Sequence, residues 1–200
     1  MEEKQIRVLL IEDNEALGAS LLKRLEEYPE IKVVGICEDR DLAVRTVCSN
    51  GAEVAVINLY PGDSSSDIIH ISREIRIHTD AKVLILSESE DLEFIVKAAR
   101  NAFASGCLFN WQIAQLGENI ITMCEGYTVQ EYLLAFTALS CLSEAEMAVF
   151  HIMMGKKVPL KSSPKTIANQ KTRVLKKLGL ANQKDLRHVF VMFRENGENV

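Results

Sequence analysis

Ile6-Arg7-Val8-Leu9-Leu10-Ile11, followed by Glu12-Asp13-Asn14, decides the fold. A short apolar run that ends abruptly on two carboxylates reads as a buried strand entering a loop. Leu17, Leu21, Leu22 and Leu25 follow at helical spacing, and Pro29 closes that helix. The same alternation then repeats. Strands are predicted at 31–37, 54–57, 83–86 and 107–109. Between and after them lie helical faces at 42–47, 68–77, 92–102 and 113–124. Tyr60-Pro61-Gly62 is a turn signal after the third strand.

Strands alternating with helices imply a parallel sheet covered on both faces. Right-handed crossovers make it a doubly wound, flavodoxin-like α/β domain of five strands. We place this domain at 1–126, a linker with a helix from 129 to 139 at 127–141, and a small all-α domain at 142–200. In the last part, Ser143 and Glu146 form a capping box ahead of Met147, Val149, Phe150 and Ile152. Gly155 stops that helix. Ser163-Pro164 starts another, with Ile167, Val174, Leu175 and Leu178 on one face and Gly179 at its end. A final helix is predicted at 183–193.

The chain has 200 residues, of which 48% are hydrophobic and 26% charged, values that exclude a mainly disordered chain. No apolar run approaches the roughly 18 residues of a membrane span. The first five residues, Met1-Glu2-Glu3-Lys4-Gln5, are polar and do not read as a signal peptide. Five cysteines, at 37, 48, 107, 124 and 141, form no C-x-x-C pair, which speaks against zinc and for reduced thiols in the cytoplasm. The four isolated histidines at 70, 78, 151 and 188 read as ordinary helix residues.

Charge is unevenly spread. Residues 1–126 carry a net of −10 and residues 127–200 a net of +5. Within 156–187 there are ten Lys or Arg and a single acid, Asp185. An acidic domain joined to a polyanion-binding one has this asymmetry. So has a solvated lysine-rich helix that binds nothing, and charge alone does not separate the two.

In an open parallel sheet the working site lies at the carboxyl ends of the strands. Those ends hold Glu12, Asp13, Asn58, Ser87 and Asn110. Glu12 and Asp13 are weak candidates for Mg²⁺, and Ser87 for a hydrogen bond to a phosphoryl oxygen. The plainer reading is that these groups cap strand ends and satisfy one another. There is no strong nucleophile, Gly-rich phosphate loop or His pair, so no enzyme and no cofactor is expected.

With these residues in view, 6–126 resembles the receiver domain of bacterial two-component response regulators. Ile6 to Asp13, Val54 through Tyr60-Pro61-Gly62, Lys82 to Ser87 and Gly106-Cys107-Leu108-Phe109-Asn110 fall in that family's order and spacing. Residues 142–187 resemble the helix-turn-helix of its NarL/LuxR-type subfamily. Leu142-Ser143, Glu146, Val149 and Gly155 match its opening; Ser163, Lys165-Thr166-Ile167, Asn169 and Lys177-Leu178-Gly179 match its recognition helix. The resemblance implies a DNA-binding transcription regulator working as a homodimer.

Two departures qualify that implication. Receivers accept a phosphoryl group on an aspartate where this chain has Asn58, and carry a lysine where it has Asn110. Their aromatic switch position holds Cys107. A carboxamide is a poor nucleophile, and its loss of charge weakens Mg²⁺ binding. A neutral pocket suits a fixed conformation, so a pseudo-receiver is expected. In the second domain, the stretch from Gly155 to Gly179 is about five residues short, more than one helical turn. Pro159 falls inside what is left of the scaffold helix, so that helix is expected to be shortened or replaced by a loop. Lys165, Thr166, Asn169, Gln170, Lys171 and Arg173 remain as candidate DNA contacts, with Lys and Arg for phosphates and Asn and Gln for base edges.

The leading expectation is therefore a phosphorylation-independent DNA-binding regulator, with no membrane association. The alternative is an interaction module whose degenerate DNA-binding half serves a protein partner in place of a histidine kinase.

Overall fold

A computed structural model describes residues 4–60, 65–89, 91–159 and 162–194. The predicted turn at Pro61-Gly62 and the neighbouring Asp63 lie outside the described residues. The chain divides into two compact units, Met1–Leu134 and Ala135–Val200.

The first unit is a five-stranded parallel sheet in the order β2-β1-β3-β4-β5. The strands are β1 (Ile6–Ile11), β2 (Ile31–Cys37), β3 (Val54–Leu59), β4 (Lys82–Ser87) and β5 (Gly106–Phe109). The helices are α1 (Glu15–Leu25), α2 (Ala43–Asn50), α3 (Ser65–His78), α4 (Leu92–Asn101) and α5 (Leu116–Glu125). This is the doubly wound α/β fold expected from the alternation.

The period of two along each strand sorts the core into two layers. Leu9, Ile11, Ala55, Ile57, Val83 and Ile85 meet Val47, Ile68, Ile75 and Ala98 from α2, α3 and α4. Val8, Leu10, Val54, Val56, Leu84 and Leu86 meet Leu21, Leu25, Leu116 and Ile120 from α1 and α5. Gly117 has no Cβ where α5 meets the ring of Tyr28, in the turn between α1 and β2, so helix and turn pack closely. Every residue of β3 is buried, which is why a polar residue inside that strand stands out.

Chain turns start the helices as their sequences dictate. Asn14 caps α1 by accepting from the Leu17 amide, and Asp91 caps α4 by accepting from the Phe94 amide. The fifth helix differs from its sequence reading. Residues Asn110–Gln115 form a 3₁₀ turn before α5 begins, because Gln112 Oε1 turns back to accept the Phe109 amide at 3.1 Å.

Helix α6 (Val129–Leu139) carries the division between the units. The second unit holds α7 (Glu144–Met153), α8 (Pro164–Leu178) and α9 (Gln183–Val189). Its core is aromatic: Phe150 packs edge-on against Phe190 at 5.5 Å and Phe193 at 5.9 Å. The final helix stops at Val189, short of the predicted 193, and a 3₁₀ turn follows at Val191–Phe193. A 3₁₀ turn eclipses positions three apart, which sets Phe190 and Phe193 against the same Phe150 ring.

Candidate functional site

The carboxyl ends of β1, β3, β4 and β5 gather the first candidate site. Glu12 is buried, and its Oε1 accepts from the Asn14 amide at 2.8 Å and from the Tyr60 hydroxyl at 2.6 Å. Burial and this carboxylate contact push the Tyr60 phenol well above its ordinary pKa. Asp13 is exposed and pairs with Arg40 Nη2 at 3.3 Å, an arrangement at the rim that adds little stability.

Asn58 is 3% exposed, and neither of its side-chain polar atoms has a hydrogen-bond partner among the described residues. Ser87 is buried, and its Oγ accepts from the Ser89 amide at 3.2 Å. Asn110 opens the turn after β5 and is half-buried. Registers Ile11↔Ile57 and Leu59↔Ser87 set Glu12, Asn58 and Ser87 side by side at the strand ends.

The buried group at the centre of this set, Asn58, is a carboxamide, a poor nucleophile for phosphoryl transfer. The set's oxygen donors for Mg²⁺ are also mostly engaged. The Glu12 carboxylate is already bonded to Tyr60 and Asn14, Asp13 is paired with Arg40, and the third donor is neutral. Sequence reasoning missed Tyr60. The signal was present: Tyr60 stands two residues beyond Asn58, and alternate strand residues share a face.

The second candidate site is α8. Ser163 accepts from the Thr166 amide at 3.2 Å and Pro164 occupies the first helical position. Val174 and Leu178 are buried, while Ile167 and Leu175 are half-buried, so the apolar face is the one expected. Gly179 ends the helix at φ 63°, a left-handed conformation that glycine adopts without strain. Lys165, Thr166, Asn169 and Arg173 are exposed; Gln170 and Lys171 are half-buried.

The basic run is less free than its composition suggests. Lys177 Nζ lies 2.6 Å from Glu146 Oε2 and donates to the Cys141 carbonyl at 3.0 Å. That hydrogen bond, with one from the Ser143 amide, holds the Glu146 carboxyl below the usual carboxylate range. Arg187 Nε donates to the Met153 carbonyl at 2.6 Å, beside Gln183 at 2.8 Å. Lys177 and Arg187 therefore fasten helices together. Between α7 and α8, the described residues 156–159 and 162–163 form no helix. Gly155 turns the chain there at φ 97°, and Lys156 closes the turn by donating to the His151 carbonyl at 2.9 Å.

No family model matches the chain. It is 26% identical over 210 aligned positions to the response regulator UvrY of Escherichia coli strain K12, covering 93% of this chain and 94% of that protein. The RcsB response regulator solved in complex with DNA superposes with a TM-score of 0.55 at 22% identity, covering 94% of this chain and 98% of that one. The receiver domain of the putative response regulator NarL from Mycobacterium tuberculosis gives 0.54 at 17% identity, over 62% of this chain and 98% of that one.

Proposed function

We propose that this chain, a response regulator of the NarL/LuxR type by its likeness in sequence and fold, binds DNA without aspartyl phosphorylation. The observation that carries the reading is Asn58: a buried carboxamide occupies the acceptor position, with Tyr60 bonded to the neighbouring carboxylate. Such a pocket has no group on which a phosphoryl bond forms and no lysine at position 110 to draw it in. The first unit is then a pseudo-receiver, fixed in one conformation. No helix among the described residues is long and apolar enough to cross a membrane. On the five cysteines without a C-x-x-C pair, read as reduced thiols, we take the protein as cytoplasmic.

DNA is the partner that the α8 surface suits. Lys165, Asn169 and Arg173 follow one another at a spacing of four and form one exposed stripe. The N-terminal part of a recognition helix enters the major groove, and flanking groups reach the backbone. Asn169→Ala is expected to cost about 1–3 kcal/mol on a preferred site and little on random DNA. Arg173→Ala is expected to weaken both and to lower the salt slope by about one unit. Binding of each variant to specific and random duplexes across a salt series reads both effects. Equal, salt-independent behaviour of the two variants would contradict the assignment.

Two such helices reading half-sites about one DNA turn apart need a dimer. Sedimentation at micromolar concentration with DNA is expected to show two chains per duplex. The lack of a helix among the described residues 156–159 and 162–163 favours one other reading, a protein-interaction module. Under that reading neither substitution changes binding to any DNA.

A further inference from the structure

We propose that Glu131, through Lys82 and Arg76, latches the first turn of the linker helix α6 to the pseudo-receiver at the end of the sheet remote from the degenerate pocket. Glu131 is 2% exposed, although it lies in the first turn of α6. Its Oε2 lies 3.0 Å from Lys82 Nζ and its Oε1 3.8 Å from Arg76 Nη2. Lys82 also donates to the Met123 carbonyl at 2.6 Å and the Gly126 carbonyl at 2.7 Å. An ammonium has three protons, and here three acceptors take them: the end of α5, the turn after it, and the start of α6.

Neighbouring contacts reinforce this point. The Tyr127 ring lies beneath Lys82 Nζ at 4.8 Å, and Thr128 Oγ1 accepts the Glu131 amide at 3.0 Å. Gln130 Nε2 donates to the Cys107 carbonyl on β5 at 3.0 Å, and Leu134 joins the core layer of α2, α3 and α4. Arg76 is itself nearly buried and donates to the Ala81 carbonyl at 3.3 Å.

Position along β4 gives the latch its meaning. Lys82 begins the strand and Ser87 ends it, a separation of about 16 Å at ~3.3 Å per residue. Attachment of α6 is thereby governed by a buried charge cluster and not by the state of Glu12, Asn58 and Ser87. A buried pair of this kind contributes little net stability, yet removing one partner strands the other charge. Its use is to fix one arrangement. The latch holds whether or not α8 contacts DNA, so its failure and that of the DNA-binding reading are separable.

Hydrogen exchange followed by mass spectrometry on the full chain tests it. In Glu131→Gln, peptides spanning 127–134 are expected to exchange roughly tenfold faster, with peptides from β1 and β3 changed by less than about threefold. Lys82→Gln leaves Arg76 to balance Glu131 and is expected to do the same, which decides the matter if Glu131→Gln does not fold. Wild-type protection of 127–134 in Lys82→Gln overturns the latch. So does a rise spread equally over β1 and β3.

Discussion

Replacing Asn58 by aspartate is expected to lower the stability of the first unit by about 2–4 kcal/mol at neutral pH. The site is 3% exposed and adjoins the buried Glu12 in register, and position 110 supplies no cation. A second carboxylate there is a buried like charge, so its proton is held more tightly in the folded state than in the unfolded one. The penalty is then full at neutral pH and disappears on acidification, once the new carboxyl is protonated in both states. Adding Asn110→Lys is expected to restore part of the loss by placing a cation beside it. Urea denaturation of the parent and the two variants reads this directly. An Asn58→Asp variant as stable as the parent would show that the pocket admits solvent or a cation, contrary to the arrangement described.

Phe150→Ala is expected to cost about 3–5 kcal/mol and to unfold the second unit. Phe150 is completely buried and meets the rings of Phe190 and Phe193 edge-on. Aromatic pairs of this geometry add to the area they bury, and a small domain has few other large side chains to compensate. Far-UV circular dichroism is expected to lose the helical signal of α7 to α9, while the sheet unit melts as before. A small, single-step shift of the whole melting curve would show instead that Phe150 is not the centre of that core.

How much of this was legible beforehand differs between the two units. The sheet was plain because each strand is a short apolar run, often β-branched and too short for a helix, set between longer segments of helical spacing. Asn58, Asn110 and Cys107 stood out against that pattern because each is a polar or small residue where the resemblance calls for something else. Caps were equally readable: Ser143, Ser163 and Gly179 each act through local backbone geometry. What stayed hidden depends on distant partners. Tyr60 reaching Glu12, Lys177 reaching Glu146 and Lys82 reaching Glu131 join positions between 31 and 49 residues apart. Composition counted Lys177 and Arg187 as part of a basic surface, whereas the fold uses both to hold helices. The 3₁₀ ending at Val191–Phe193 likewise serves a distant partner, setting Phe193 against the Phe150 ring.

The most direct test of phosphorylation-independent DNA binding is fluorescence anisotropy of a labelled duplex from a selected genomic fragment. It is titrated with the full chain, with and without acetyl phosphate and Mg²⁺, and intact mass is recorded on the same samples. The expected result is an affinity that falls steeply with salt, as phosphate contacts require, is unchanged by the phosphodonor, and accompanies a protein of unaltered mass. A stoichiometric phosphoryl adduct that strengthens binding, or no binding in either condition, would contradict the account.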